Sequence, residues 1–323
     1  MKAAYLGIDV GSISTNLVLL DDAGRLLHKT YLRTHGQPVK VMQEGLRGLA
    51  SKMDGTVNIC GVGTTGSGRY LAGILTGADV IKNEITAHAV AALHYEPETH
   101  TVIEIGGQDS KSIILRNGTV IDFAMNTVCA AGTGSFLDQQ AYRLGIPIEA
   151  FGDYAIRASK PVKIASRCTV FAESDMIHKQ QMGHSVEDII AGLCAALVRN
   201  YLNNLVRSHE LREPILFQGG VAANVGMRTA FERVLGKRLS VPEDFEVMGA
   251  IGAGLLAREV VASTGQTQFR GLEVGDIPYQ LNSFECEGCS NGCEVMEVKM
   301  PVAGQERLVR WGDRCGKWET GDF

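Results

Sequence analysis

The chain has 323 residues, 45% of them hydrophobic and 21% charged, which is typical of a folded protein and excludes a disordered one. At about 150 residues per domain, this length predicts two domains. The net charge is −5 and no basic block is present, so nucleic acid is not an expected partner. The longest nearly apolar stretch, residues 188–198, is too short to span a membrane. Asp9 interrupts any secretory leader, and we therefore expect a soluble, cytoplasmic protein.

Apolar runs, periodic apolar positions and turn residues predict an α/β protein whose pattern occurs twice. In the first half we expect strands at residues 4–9, 16–21, 25–32 and 57–62 and helices at 39–52, 68–75 and 83–94. In the second half we expect strands at 102–105, 110–115, 119–124, 215–217 and 238–241. Its helices are expected at 134–144, 169–182, 186–209, 221–235 and 245–258. The pattern predicts a duplicated α/β architecture that binds its ligand between the halves.

The predicted domain boundaries follow this repeat. The first half covers residues 1–97, and the second half covers residues 98–262. Residues 263–323 form a linker and a small cysteine-rich appendage, in which four of the eight cysteines lie. In a cytoplasmic protein, clustered cysteines indicate metal or redox chemistry more often than disulfides.

Two glycine turns lie at equivalent places in the halves, each between two predicted strands. The first is Asp9-Val10-Gly11-Ser12-Ile13-Ser14-Thr15, and the second is Gly106-Gly107-Gln108-Asp109. A strand follows each turn, so neither is a P-loop, but the N–H groups and hydroxyls of such turns bind phosphate oxygens. For a single turn of this kind, a tight hairpin without a ligand is the favoured explanation. The pair, together with Gly219-Gly220-Val221-Ala222 at the end of a later strand, favours a nucleotide site.

Within these turns, three residues are candidates for catalysis. Asp9 ends a strand, where its carboxylate is placed to hold Mg²⁺ directly or through water, and Asp109 is its candidate counterpart in the second turn. Gln108 is a candidate to position the attacking water. The candidate phosphate contacts are Gly11, Ser12, Ser14, Thr15, Gly106 and Gly107.

This set of motifs resembles the superfamily of acetate and sugar kinases, Hsp70 and actin. Residues 9–15 look like its first phosphate loop, 104–109 like its second and 219–224 like its adenosine loop. Residues 130–140 and 248–256 look like its two connecting helices. The resemblance covers about residues 3–258 and implies an actin-like ATPase fold with an interdomain cleft for Mg-ATP. It also implies nucleotide contacts from Gly132, Thr133, Gly134, Gly219, Gly220, Val221 and Asn224.

Cys129 and Cys168 each precede a predicted helix. A helix N-terminus favours the thiolate, which is the metal-binding form of cysteine. A [4Fe–4S] cluster takes four protein ligands, so two chains of a symmetric dimer would have to supply them together. Most free cysteines are small buried hydrophobic residues, and the spacing alone favours that interpretation.

The segments around these cysteines resemble the activators of 2-hydroxyacyl-CoA dehydratases. These activators belong to the BadF/BadG/BcrA/BcrD-type ATPase family, which also includes the ATP-hydrolysing subunits of benzoyl-CoA reductase. The matching segments are Asn126-Thr127-Val128-Cys129-Ala130-Ala131-Gly132-Thr133-Gly134, Cys168-Thr169-Val170-Phe171-Ala172-Glu173-Ser174, Ile105-Gly106-Gly107-Gln108-Asp109-Ser110-Lys111, Thr65-Gly66-Ser67-Gly68-Arg69 and Glu84-Ile85-Thr86-Ala87-His88.

The resemblance implies an ATP-driven one-electron donor. It implies a homodimer with a bridging [4Fe–4S] cluster held by Cys129 and Cys168 of each chain. The electron acceptor would be an iron–sulfur protein, either a dehydratase or a double-cubane cluster protein, and the upstream donor a ferredoxin or flavodoxin. Glu84 and His88 lie four residues apart on a predicted helix, and we expect a structural or interface role for them because two ligands are too few for a metal site.

The end of the sequence contains Cys286-x₂-Cys289-x₃-Cys293 followed by Cys315. Four thiolates suit Zn²⁺ or a second [4Fe–4S] cluster equally by geometry, and the expected oxygen-sensitive electron transfer favours the cluster. This tail departs from the short activators and leaves the acceptor open. Two alternatives from other classes remain: a non-redox ATP-dependent kinase or sensor of the same fold with a zinc tail, and a zinc-stabilised ATP-binding assembly module.

Overall fold

The structure, a computed structural model, describes residues 2–53, 57–126, 129–206, 211–302 and 305–318. The chain forms two compact units, the first from Met1–Asn83 with Ala253–Phe323 and the second from Glu84–Gly252. The chain therefore passes between the units at residues 83/84 and 252/253. The domain boundaries predicted at 97/98 and 262/263 stay predictions.

The first unit contains a three-strand meander followed by alternating helices and strands. Its elements are β1 (Lys2–Val10), β2 (Ser14–Asp21), β3 (Leu26–Arg33), α1 (Pro38–Ala50), β4 (Val57–Thr65), α2 (Arg69–Thr76) and β5 (Val80–Ile81). The central strands β1, β2 and β4 are mostly buried, whereas exposed and partly buried residues alternate along the edge strand β3. Continuous burial in the centre and alternation at the edge are what a sheet covered on both faces requires.

The second unit repeats this order with longer helical insertions. It begins with α3 (Glu84–Tyr95), β6 (Thr101–Ile105), β7 (Ser110–Arg116), β8 (Thr119–Asn126), α4 (Gly134–Leu144), α5 (Ile148–Ile156) and α6 (Thr169–Gln181). It continues with α7 (Val186–Leu205), β9 (Ile215–Gln218), α8 (Val225–Leu235) and β10 (Leu239–Ser240). The chain then enters α9 (Met248–Thr264), which crosses into the first unit.

The described strands of the two units have the same topology. The strand order is β3-β2-β1-β4-β5 in the first sheet and β8-β7-β6-β9-β10 in the second. In each sheet the meander is antiparallel, and the two later strands are parallel to its first strand. The predicted duplication is therefore confirmed at the level of strand order and direction.

The predicted appendage contains an antiparallel sheet of β11 (Gln280–Glu285), β12 (Glu294–Val302) and β13 (Gln305–Trp311). Val298, Met300 and Val309 of this sheet are buried in the same hydrophobic cluster as Leu6 and Leu46 of the first unit. Removing such apolar surface from water contributes roughly 25 cal/mol per Å². The tail sheet is therefore part of the first unit's core.

Several predicted elements need correction. Residues 130–140, interpreted as a connecting helix, lie entirely within the second unit; the first passage between the units comes directly before α3. The helix predicted from residue 221 begins at Val225, because the Asn224 side chain accepts the N–H of Met227 and caps it. The sequence patterns missed α5 and the three tail strands. The helix predicted at 186–209 corresponds to α7, which ends at Leu205; residues 207–209 lie outside the described residues.

Within the described ranges, no helix is long and apolar enough to cross a membrane.

Close packing of β4 against α9 generates a stability prediction. A Cβ atom at Gly63 would lie 2.0 Å from the backbone oxygen of Ala253, so we expect Gly63→Ala to lower the free energy of unfolding by about 1–3 kcal/mol or more. At Gly48 in α1, a Cβ would meet no described heavy atom within 4 Å. Gly48→Ala should therefore stabilise the protein by about 0.5–1 kcal/mol. Urea denaturation of both variants checks this, and equal shifts would contradict the packing argument.

Candidate functional site

The first glycine turn joins β1 to β2 and is held by short polar contacts. Gly11 donates its N–H to the oxygen of Ser14 at 2.9 Å, and Thr34 donates its hydroxyl to the oxygen of Gly11 at 2.9 Å. The hydroxyl of Thr15 lies 3.0 Å from that of Thr34 and is fully buried, so Thr15 supports the turn from inside. Ser12, at the tip of the turn, is exposed.

The loop after β4 closes against this turn. Gly68 donates its N–H to the oxygen of Val10 at 2.8 Å. Gly66 has a φ of +92°, and a Cβ there would lie 2.5 Å from Oδ1 of Asp9 and 2.4 Å from the oxygen of Val10. Only glycine fits this backbone conformation at so close an approach. The Thr65-Gly66-Ser67-Gly68-Arg69 motif is thus the structural partner of the Asp9 turn.

The second glycine turn matches the first residue by residue. Val10 pairs with Thr15 across the first hairpin, and Ile105 pairs with Ser110 across the second, so each loop contains four residues. Gly106 donates its N–H to the oxygen of Asp109 at 3.0 Å, as Gly11 does to Ser14. By this register Glu104 occupies the place of Asp9, and Lys111 the place of Asn16.

A buried lysine, Lys111, sits among three carboxylates at the base of the second turn. Its Nζ lies 2.7 Å from Oε2 of Glu84, 2.9 Å from Oε2 of Glu104 and 2.9 Å from Oδ2 of Asp109. The Lys111 side chain is 2% exposed. Removing one partner of a buried ion pair typically costs about 3–5 kcal/mol. Lys111 therefore fixes β6, the start of α3 and the second turn relative to one another.

The charges in this cluster determine whether it retains a carboxyl proton and on which residue. Burial lowers the pKa of Lys111, but Glu104, Glu84 and Asp109 outweigh it and raise that pKa well above its usual value. Burial raises the pKa of Glu104 to about 8, against the opposing effect of Lys111. Because three carboxylates share one ammonium, the cluster retains a carboxyl proton near neutral pH, and Glu104 is its favoured site.

Glu84 and His88 have separate partners. Glu84 binds Lys111, whereas Nδ1 of His88 lies 2.8 Å from Nε2 of Gln218 at the end of β9. Burial, followed by the charge of Lys111, lowers the pKa of His88 to about 3, so its imidazole is neutral. These contacts agree with the predicted structural role.

The start of α4 is hydrogen-bonded directly to the second turn. Gly134 donates its N–H to the oxygen of Gly106 at 2.8 Å, and Ser135 donates its N–H to the oxygen of Gly107 at 2.9 Å. The Ser135 hydroxyl also donates to Gly107. Thr133 is fully buried and donates its hydroxyl to Ala130 at 2.9 Å. The predicted nucleotide residues 132–134 and the second turn are therefore parts of one assembly.

Cys129 and Cys168 lie in different local structures. Cys168 directly precedes α6, as predicted, whereas Cys129 precedes a 3-10 turn at Ala130–Gly132, and α4 begins only at Gly134. The helix predicted at 134–144 is therefore confirmed, and a 3-10 turn separates it from Cys129. Asn126 accepts the N–H of Cys129 at 2.9 Å and donates to its oxygen at 2.7 Å. Thr127 and Val128 of the same motif lie outside the described residues.

Both cysteines are partly exposed, unlike buried Cys194. Val170 and Phe171, which follow Cys168 at the start of α6, are each 65% exposed. Two adjacent exposed apolar side chains therefore lie beside Cys168.

The predicted adenosine loop follows β9. Gly219 has a φ of +86°, and a Cβ there would lie 2.5 Å from the oxygen of Ile105 and 2.7 Å from Oε1 of Glu104. Gly220 and Val221 begin a 3-10 turn. A Cβ at Gly134 would lie 3.1 Å from Cγ2 of Val221, so this loop packs closely against the start of α4. The structure therefore brings this loop to the second turn, while Asn224 caps α8.

The four tail cysteines are not gathered as predicted. Within the described parts of the chain, no three His, Cys, Asp or Glu side chains form a group that could hold a metal. Sγ of Cys286 accepts N–H groups from Trp318 at 3.1 Å and Gly288 at 3.4 Å, and these contacts lower the pKa of its thiol. Sγ of Cys315 instead contacts Oδ2 of Asp313 at 3.4 Å, and Cys289 is exposed.

Sequence reasoning identified the turns but missed the residues that hold them. The exposed Gln108 and the partly exposed Asp9 and Asp109 lie in the turns as expected. Glu104 and Lys111 were not singled out. Aligning the two hairpins would have found them, because they occupy the places of Asp9 and Asn16.

Comparisons with known proteins agree with this geometry. A family model described as the BadF/BadG/BcrA/BcrD ATPase family matches residues 6–257. The (R)-2-hydroxyglutaryl-CoA dehydratase activating ATPase of Acidaminococcus fermentans is 36% identical over 267 residues, covering 81% of this chain and 100% of that protein. A subunit of the benzoyl-CoA reductase of Thauera aromatica is 30% identical over 279 residues, covering 81% of this chain and 96% of that protein.

Solved structures show the same likeness. The activator of the 2-hydroxyisocaproyl-CoA dehydratase from Clostridium difficile with bound ADPNP matches with a TM-score of 0.73 and 32% identity, over 81% of this chain and 97% of that one. The ethanolamine utilization protein EutJ from Carboxydothermus hydrogenoformans, at 15% identity and a TM-score of 0.52 over 79% of this chain and 90% of that one, shares the fold alone. The predicted actin-like ATPase fold is confirmed.

The raised pKa of Glu104 predicts a pH dependence of stability. A carboxyl whose pKa rises from 4.5 to about 8 on folding binds its proton more tightly in the folded protein. The free energy of unfolding should therefore fall as the pH rises from about 4.5 to about 8. Glu104→Gln, which has a similar shape but does not titrate, should remove most of this fall. Denaturant titrations at several pH values check this, and equal pH slopes for the two proteins would contradict it.

Proposed function

The chain belongs to the BadF/BadG/BcrA/BcrD ATPase family, and we propose that it is an ATP-dependent activator that delivers single electrons to an iron–sulfur acceptor protein. The observation that carries this proposal is the direct hydrogen bonding between the second glycine turn and the start of α4, which follows Cys129 in sequence. A phosphate group bound at the turn would act on the cysteine segment through these bonds. Relatives described as a dehydratase activator and as part of a reductase favour this redox role over a kinase.

In the proposed ATPase, the turns bind the phosphates of Mg-ATP. The N–H groups of the turns and the exposed hydroxyl of Ser12 bind phosphate oxygens, and Asp9 holds Mg²⁺ directly or through water. Gln108 is exposed at the tip of the second turn, where its amide is free to orient the attacking water. Asp109 is paired with Lys111, so its role is to hold the turn and to support the metal.

The cysteine residues fit a cluster shared between two chains. Cys129 and Cys168 are both partly exposed, and Cys168 lies directly before the 13-residue helix α6. Two chains of a symmetric homodimer would supply the four thiolates that a [4Fe–4S] cluster takes. When bound, such a cluster accepts and donates one electron at a time. The exposed Val170 and Phe171 support covering of this surface by the second chain or by the acceptor.

The proposed acceptor is a dehydratase or a double-cubane cluster protein, and the upstream donor is a ferredoxin or flavodoxin. The proposal takes its support from relatives described as activators of (R)-2-hydroxyglutaryl-CoA, 2-hydroxyisocaproyl-CoA and lactoyl-CoA dehydratases. Transfer at a potential below that of the donor requires ATP binding or hydrolysis to favour one arrangement of the protein over another.

We also propose that the tail cysteines bind a metal, either Zn²⁺ or a second [4Fe–4S] cluster. Support comes from the spacing Cys286-x₂-Cys289-x₃-Cys293 and from the N–H groups that lower the pKa of the Cys286 thiol. Backbone and indole N–H donors to sulfur are common around metal-bound thiolates. Because no three potential ligands form a metal-binding group among the described residues, binding a metal would require these cysteines to move closer together.

Substitutions in the turns test the nucleotide site. Asp9→Ala removes support for Mg²⁺, and Gly107→Val fills the phosphate site, so each should abolish ATP hydrolysis while the protein stays folded. Gln108→Ala should slow hydrolysis more than it weakens ATP binding, because it disturbs the water and leaves the phosphate contacts intact. Phosphate release and nucleotide titration measure the two effects. Unchanged turnover in Asp9→Ala or Gly107→Val would exclude these turns as the site.

Metal analysis under argon tests the two proposed metal sites. Each chain supplies two of the four bridging ligands, so Cys129→Ala and Cys168→Ala should each lose the bridging iron and weaken the dimer. The tail metal should remain in both variants and be lost in Cys289→Ala. ATP hydrolysis should persist in Cys168→Ala, whereas electron transfer to any acceptor should stop. If the first two variants keep all their iron and Cys289→Ala loses it, the bridging assignment is wrong.

A further inference from the structure

Asn200, on α7, lies between the two cysteine segments. Its Nδ2 donates to the backbone oxygen of Ser166 at 2.6 Å, two residues before Cys168. A Cβ at Gly132, three residues after Cys129, would lie 2.8 Å from its Oδ1. The side chain is buried, with 3% exposure. One buried amide thus hydrogen-bonds to the Cys168 segment and leaves no room for a Cβ at Gly132 in the Cys129 segment.

The Cys129 segment is in turn held by the second turn. The same Cβ at Gly132 would lie 3.2 Å from Nδ2 of Asn126, the residue that binds Cys129, and 3.7 Å from Oγ of Ser110, which directly follows the turn. Ser110 is fully buried, and its hydroxyl is unpaired among the described residues. Beyond Gly132, the start of α4 is hydrogen-bonded to the backbone oxygens of Gly106 and Gly107. A continuous series of hydrogen bonds and close approaches therefore connects the second turn to both cysteine segments.

We propose that Asn200 is a positioning residue that makes the Cys168 segment follow the Cys129 segment when nucleotide binds at the second turn. The inference rests on the proposed function, because it takes both cysteines as cluster ligands. A shift of the Gly106 and Gly107 oxygens moves the start of α4 and Gly132 with it. Since there is no space for another atom between Gly132 and Asn200, the amide moves too and carries Ser166 through its hydrogen bond. Buried, close-packed contacts transmit displacements in this way.

Cysteine alkylation in the cluster-free protein under argon tests this link without electron transfer. Rates at Cys129 and Cys168 are followed by peptide mass spectrometry, with and without a non-hydrolysable Mg-ATP analogue. In the wild type, the analogue should change both rates by about fivefold or more, the lower end of typical coupling between sites. Burial raises the pKa of the Cys194 thiol to about 12, which makes that residue an unreactive internal reference.

Asn200→Ala should remove the response of Cys168 and leave that of Cys129. Asn204→Ala is the matched control, because Asn204 lies one turn further along α7 and donates to Asn200 at 3.0 Å; both responses should persist there. A full response of Cys168 in Asn200→Ala overturns the proposal, as does a wild type in which only Cys129 responds. Should Asn200→Ala fail to fold, hydrogen exchange of the wild type decides: the analogue must alter exchange in residues 129–135 and 164–168 together, and a change in one segment alone overturns the link.

The role of Asn200 and the proposed redox function are tested by separate measurements. Iron analysis of the anaerobically purified wild type tests whether the chain holds a cluster at all. An iron-free protein would exclude the redox role, while the alkylation pattern would still decide whether Asn200 joins the two segments.

Discussion

The ion pairs of Lys111 hold the second glycine turn in place, and the proposed coupling depends on that turn. A single buried ammonium contacts carboxylates from α3, from β6 and from the turn itself. Without it, three carboxylates would face one another in a region of low dielectric, where repulsion is strong. Because the turn is fixed from below, its Gly106 and Gly107 oxygens stay in position to accept N–H groups from the start of α4. In the proposed coupling, a turn held in this way would move as a unit.

The two units use the same hairpin for different purposes. In the first, Asn16 lies opposite Asp9, and a Cβ at the neighbouring Gly66 would lie 2.5 Å from Oδ1 of Asp9, the carboxylate that we propose holds Mg²⁺. In the second, the equivalent pair is Glu104 and Lys111, and Nζ of Lys111 donates to Oε2 of Glu104 at 2.9 Å. The two units therefore contain matching glycine turns, and among the described residues the second is hydrogen-bonded to the start of α4, which follows Cys129. This asymmetry fits a protein in which nucleotide chemistry acts on a redox centre.

The sequence was sufficient to predict the repeated fold and the turns, because strand alternation and glycine position are local properties. It did not reveal Lys111 or Asn200, whose importance comes from partners distant in sequence, such as Glu84 and Ser166. The connecting helix was misplaced at residues 130–140 because small residues also serve to pack α4 against the second turn. Similarly, the tail strands were missed because their alternation is weak, although Val298 and Met300 are buried in the first unit's core.

If nucleotide binding is coupled to the redox state of the proposed cluster, the affinity for nucleotide measures that coupling directly. If nucleotide binding shifts the reduction potential of the cluster, then reduction must change nucleotide affinity by the same factor. The measurement is the dissociation constant of Mg-ADP and of a non-hydrolysable Mg-ATP analogue for the dimer, under argon, in its oxidised and its reduced state. We expect at least one of the two nucleotides to bind the two redox states with affinities that differ by about fivefold or more. Equal affinities in both states for both nucleotides would contradict it.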